Sequence, residues 1–121
     1  MLILGIAIAG AIGAPTRYLV DGVVIDRTDG GLPFGTFIIN VSGSFLLGFL
    51  AGLTLYHAFP ATPRAILGTG FCGAYTTFST FAYEVVRLAD DREHREAALT
   101  LAFSLVVPAL VAALGLALAT L

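Results

Sequence analysis

Thr76, Thr77, Ser79 and Thr80 put four hydroxyl side chains into five consecutive positions, with Phe78 among them and Phe81 directly after. A hydroxyl can donate to an ion in place of the water that ion has lost. The edge of a phenyl ring is electropositive, so it attracts an anion without gripping it tightly. Together these groups suit the passage of a small anion. On a helical wheel Phe78 and Phe81 share a face, and Thr77, Thr80 and Glu84 form the strip beside it. An aromatic pair at this spacing would by itself read as packing. The polar strip next to it, and the glycines before it, are what point to a path.

Gly68, Gly70 and Gly73 precede the hydroxyl run. Glycine loses the most backbone entropy on entering a helix, and Ser and Thr compete for backbone partners. The expectation is a broken or polar-lined membrane segment. A break near Gly73–Thr76 would free carbonyl and N–H groups that must find a cation, water or a neighbouring chain inside the membrane.

Two other polar residues fall inside apolar runs. Asn40 heads a stripe that continues through Ser44, Gly48 and Gly52 at four-residue spacing. Gly48 and Gly52 form a GxxxG pair, which reads as close helix packing. The Asn40 amide needs a partner or a ligand in hydrocarbon. Arg17 lies near the end of the first run, where it would raise the local concentration of an anion.

Composition says what kind of scaffold holds these residues. The chain has 121 residues, 58% hydrophobic and 12% charged, whereas soluble domains average about a quarter charged. With a mean hydropathy of +0.95 this is an integral membrane protein. The length allows one domain, residues 1–121, with little outside the membrane. The net charge is −2 and there is no lysine, which argues against nucleic acid as a partner. Cys72 is alone and reads as a small packed residue. His94 has no second ligand at metal-binding spacing. No nucleophile–base pair, paired intramembrane carboxylates or phosphate-binding glycine motif is present, so an enzyme is not expected.

Four spans are expected, at about residues 2–20, 34–57, 64–87 and 97–121, since roughly 20 residues cross the hydrocarbon layer. The first lacks the basic start of a signal peptide and reads as a retained helix. Residues 21–33 form the first loop, marked by three Asp, Arg27 and Gly30-Gly31 before Pro33. Residues 58–63 and 88–96 form the other two. Pro108 should kink or loosen the last helix. Arg27, Arg87, Arg92 and Arg95 sit in or beside the first and third loops, and Arg64 is on the other side. Counting basic residues puts those two loops in the cytoplasm.

The run Gly70-Phe71-Cys72-Gly73-Ala74-Tyr75-Thr76-Thr77-Phe78-Ser79-Thr80-Phe81 resembles the signature of the CrcB/Fluc fluoride channels. Residues 10–18 (GAIGAPTRY) and 35–45 (GTFIINVSGSF) are similar to two further segments of that family. The resemblance covers essentially the whole chain. It implies an all-α, dual-topology homodimer of four-helix subunits inserted antiparallel in the cell (plasma or inner) membrane, with the third helix broken at mid-membrane. Two pores at the interface would let cytoplasmic fluoride leak out passively. It implies pore-lining roles for Phe78, Phe81, Asn40, Thr80, Ser79 and Ser104, and vestibule or gating roles for Glu84 and Arg17. It also implies one structural Na⁺ at the dimer centre, held by the backbone carbonyls of Gly73 and Thr76. Pro108 stands one turn after Ser104, where a further hydroxyl would continue the track. The arginine bias exceeds what the simplest route to dual insertion would require.

Two other functions compete. A small four-helix proton-coupled multidrug exporter needs an embedded carboxylate, and the first helix has none. A non-transporting membrane scaffold explains Gly48 and Gly52 but leaves Asn40 and the hydroxyl strip without a purpose.

Overall fold

The computed structural model describes residues 1–29 and 31–121, so Gly30 of the expected Gly30-Gly31 turn lies outside the described residues. The described residues form helices α1 (Leu2–Asp26), α2 (Phe34–His57), α3 (Ala61–Ala65), a π-helical stretch (Ile66–Cys72), α4 (Gly73–Tyr75), α5 (Ser79–Asp90) and α6 (His94–Leu118). α1, α2 and α6 are each long and apolar enough to cross a membrane. α5, at 12 residues, is not.

α1 reaches further than the sequence suggests. Val23, Val24 and Ile25 carry it through residues assigned above to the first loop, and it stops only at Arg27. Pro15 and Pro108 are accommodated inside α1 and α6, which run on past them. A proline lacks the N–H that would bond to the fourth residue back, so in α6 the Ser104 carbonyl loses its helical donor. In α1 the Thr16 hydroxyl donates to the Ile12 carbonyl at 2.8 Å.

The helices pack as two close pairs. α2 lies against α6, where a Cβ added at Gly52 would fall 2.8 Å from the Leu116 carbonyl oxygen. A Cβ at Gly115 would fall 2.9 Å from the Phe49 nitrogen. Helices in lipid gain little from hydrophobic burial against one another, so close backbone approach at small residues supplies the attraction. The GxxxG pair therefore packs against α6. α1 lies against the π-helical stretch in the same way. A Cβ at Gly70 would meet the Ile6 carbonyl oxygen at 2.8 Å and the Ala9 Cβ at 2.9 Å.

Little of the chain is enclosed. Among the described residues, only Ile39, Leu88 and Cys72 are sizeable side chains with almost no exposure, while Ile3, Ile8, Ile12, Leu99, Phe103 and Leu110 stand open on α1 and α6. In water such a surface would aggregate, and in a bilayer it is solvated by lipid tails. The protein is a multi-pass membrane protein.

Candidate functional site: the 76–78 connection and its clamps

Residues 76–78 link α4 to α5 without helical structure. Thr76 is extended, with φ −77° and ψ 159°. In a continuing helix the Thr77 N–H would donate to the Gly73 carbonyl. Here it donates instead to Asn40 Oδ1 at 2.9 Å. The Thr77 carbonyl, which would take the Phe81 N–H, accepts from Asn40 Nδ2, also at 2.9 Å. One side-chain amide thus pairs with both peptide groups of one residue. The Thr80 N–H, which a helix would direct to the Thr76 carbonyl, donates to Thr77 Oγ1 at 3.2 Å. The Gly73 and Thr76 carbonyls are both released from their usual donors in this way. Thr76 is not left bare, because Arg17 Nη1 donates to its carbonyl at 3.3 Å.

The hydroxyls form a short relay. Thr77 Oγ1 donates to Thr80 Oγ1 at 3.1 Å and lies 3.4 Å from Ser79 Oγ. Since Thr80 accepts from Thr77, its own proton is free to point outward. Thr77 is buried, whereas Ser79 and Thr80 are exposed on the chain's surface. Phe78 and Phe81 meet edge to face, with centroids 5.6 Å apart and ring planes at 68°. Phe81 is buried, but Phe78 is 74% exposed. A phenyl ring and two hydroxyls therefore stand together on the open face of this chain.

Glu84 lies further along α5. Its Oε1 accepts from the Thr36 hydroxyl at 2.9 Å, while Oε2 is buried with no hydrogen-bond partner among the described residues. Asp21, towards the far end of α1, packs on Gly35, so two carboxylates approach the first turn of α2. Ser42 Oγ and Tyr75 Oη, 2.9 Å apart, join α2 to α4.

The sequence-expected site residues therefore fall into groups. Asn40, Ser79 and Thr80 converge on Thr77, with Phe78 and Phe81 alongside. Arg17 sits on Thr76, and Glu84 on Thr36. Ser104 stands apart, in the wall of a groove of about 570 Å³ between the start of α2 and α6, with Phe37, Arg95 and Phe103. No hydrogen bond joins Ser104 to the hydroxyl relay among the described residues. Gly73 is exposed and makes no side-chain contribution.

Two residues escaped the sequence reading. Thr36 is only 4% exposed and is the partner of Glu84. The signal was available, since Thr36 extends the Asn40–Ser44–Gly48–Gly52 stripe one step back. Thr77, counted above only as one hydroxyl in a strip, is the hub on which α2 and α5 meet.

The sequence model of the family described as "CrcB-like protein, Camphor Resistance (CrcB)" matches residues 4–116. A chain from Frankia casuarinae named fluoride-specific ion channel FluC 1 is 47% identical over 120 residues, covering 94% of this chain and 93% of that one. Another of the same name, from Leifsonia xyli, is 53% identical over 100 residues, covering 83% and 73%. A third, fluoride-specific ion channel FluC from Thermococcus onnurineus, is 40% identical over 115 residues, covering 94% and 92%. A match across nearly the full length, by the family model and by relatives from separate organisms alike, means that this chain belongs to the CrcB family.

Proposed function

We propose that this protein is a fluoride-selective channel that lets cytoplasmic fluoride leave passively, lowering its toxicity, and that it is not an enzyme. The observation that carries the reading is full-length identity of 47% to a chain named as a fluoride-specific ion channel. The chemistry of the 76–81 region agrees with it. Fluoride is small and strongly hydrated, so a path must offer hydrogen-bond donors where water is stripped away. The Thr80 hydroxyl, whose proton Thr77 leaves free, Ser79 and the second Nδ2 proton of Asn40 are such donors, and the Phe78 and Phe81 ring edges add weak attraction. Ser104 would extend the path along α6. Arg17 and Glu84 would set the potential at its mouths.

The channel is read as an antiparallel homodimer of four-span subunits, the third span broken at mid-membrane around residues 76–78, with two pores between the subunits. What supports this is the exposure of Phe78, Ser79 and Thr80, which in a single chain would face lipid. A second copy would cover them and close each path from the other side.

A structural Na⁺ at the dimer centre fits the donor set, since the Gly73 and Thr76 carbonyls have both lost their helical donors. Those two carbonyl oxygens would take the place of water in such an ion's hydration shell, and its charge would offset their partial negative charge. Arg17 is its competitor within the chain, because a guanidinium already donates to the Thr76 carbonyl.

The test is efflux from liposomes holding the purified protein. Fluoride should leave rapidly while chloride stays inside. Equal loss of the two anions would refute selectivity, and retention of both would refute the channel.

A further inference from the structure

We infer that Asn40 is a positioning residue, whose side-chain amide holds the 76–78 connection in its non-helical form by standing in for both of Thr77's helical partners. The two bonds are equal at 2.9 Å and run in opposite senses, Thr77 N–H to Oδ1 and Nδ2–H to the Thr77 carbonyl. This is the two-bond exchange one residue makes with another across an antiparallel sheet, supplied here by a side chain on a neighbouring helix. Inside a membrane the two groups have no water to fall back on, so without Asn40 they must pair with each other's neighbours. The arrangement within reach is the helix itself, with Thr77 N–H on Gly73 and Phe81 N–H on Thr77. Loss of the clamp therefore draws residues 76–78 back toward helix.

The clamp reaches the hydroxyls through Thr77. With its backbone fixed, Thr77 Oγ1 takes the Thr80 N–H at 3.2 Å and gives its proton to Thr80 Oγ1 at 3.1 Å. That relay is what leaves the Thr80 proton free for another acceptor, and Phe78 lies between the two residues in sequence. Asn40 thus orients Thr80 and Phe78 through Oδ1 and one Nδ2 proton, a role separate from any donation by its second Nδ2 proton. A shorter hydroxyl at position 40 could still donate to an anion, but it could not pair with both the N–H and the carbonyl of one residue. An amide is the side chain that offers a donor and an acceptor side by side.

That the held segment belongs to an ion path rests on the fluoride-channel reading, while the clamp itself does not. The experiment is amide hydrogen exchange at Thr77, measured residue by residue in the full-length protein in lipid, for the wild type, Asn40→Leu and Asn40→Asp. Fluoride efflux from the same liposomes is measured in parallel. Asn40→Asp keeps an acceptor for the Thr77 N–H and loses the donor, so it remains informative if Asn40→Leu does not fold. In fluoride-free buffer Asn40→Leu should alter Thr77 exchange by about tenfold or more, with Asn40→Asp between it and the wild type. Efflux should fall in the same order. Unchanged Thr77 exchange in a folded Asn40→Leu or Asn40→Asp variant overturns the clamp, and if efflux is lost as well Asn40 acts on the anion by direct donation alone. Altered Thr77 exchange in variants of a protein whose wild type passes no fluoride upholds the clamp and refutes the channel reading alone.

Discussion

Gly48→Ala should loosen the α2–α6 pair, and the size of the effect follows from where the new methyl would lie. The added Cβ would sit 2.7 Å from the Ala112 carbonyl carbon and 2.9 Å from its Cα, with the carbonyl oxygen nearer still. Ordinary contacts begin at 3.4 Å, so α2 and α6 must separate by roughly 1 Å or more. All three obstructing atoms are backbone, and no rotamer change relieves them. The separation also opens the neighbouring contacts at Gly52 and Gly115, because the three glycines share one seam. Overpacking of this kind costs about 1–3 kcal/mol. With about 1.4 kcal/mol per factor of ten, that is roughly 5- to 150-fold in the folding equilibrium. Gly22→Ala is the control. A Cβ there meets nothing within 4 Å, and alanine favours the helix over glycine by about 0.5–1 kcal/mol. Reversible unfolding in mixed micelles should separate the two variants in opposite directions from the wild type. If Gly48→Ala is as stable as the wild type, the close α2–α6 seam is refuted.

Thr36→Val keeps the shape of the side chain but removes the donor to Glu84, leaving both carboxylate oxygens without a partner among the described residues. It should cost about 1–3 kcal/mol in the same unfolding assay, and a neutral effect would remove Thr36 from the site. Phe78→Ile and Phe81→Ile should each lower fluoride efflux by roughly 2- to 12-fold, the worth of about 0.5–1.5 kcal/mol of aromatic contact. Unchanged efflux in both would take the rings out of the path. Ala58 closes α2 in the left-handed region, with φ 52° and ψ 36°. Ala58→Gly should therefore raise stability by about 1 kcal/mol, and a loss of stability would contradict that backbone. Sodium should raise the thermal midpoint of the protein more than potassium at equal ionic strength, and identical midpoints would argue against a sodium site at Gly73 and Thr76.

Read alone, the residues settle the solvent and the kind of element. Long apolar runs with 12% charge can be satisfied only by helices in lipid, because every backbone group must be paired within its own segment. They also show where the chain would misbehave as a helix, since glycines and clustered hydroxyls carry that information locally. The extension of α1 to Asp26 was obscured because Asp21, Gly22 and Asp26 have the composition of a loop, while Val23, Val24 and Ile25 keep the helix going. Which polar group satisfies which is a matter for packing in three dimensions. Asn40 and Thr77 are 37 residues apart, and Arg17 and Thr76 are 59 apart. Nothing in spacing or periodicity joins such pairs. A polar group in a membrane takes the nearest complementary partner in space, and that partner is chosen by how α1 and α2 pack around the 76–78 connection. The hydroxyl run thus announced a site in the sequence, but the packing of its neighbours decided that Thr77 is held and Thr80 is presented.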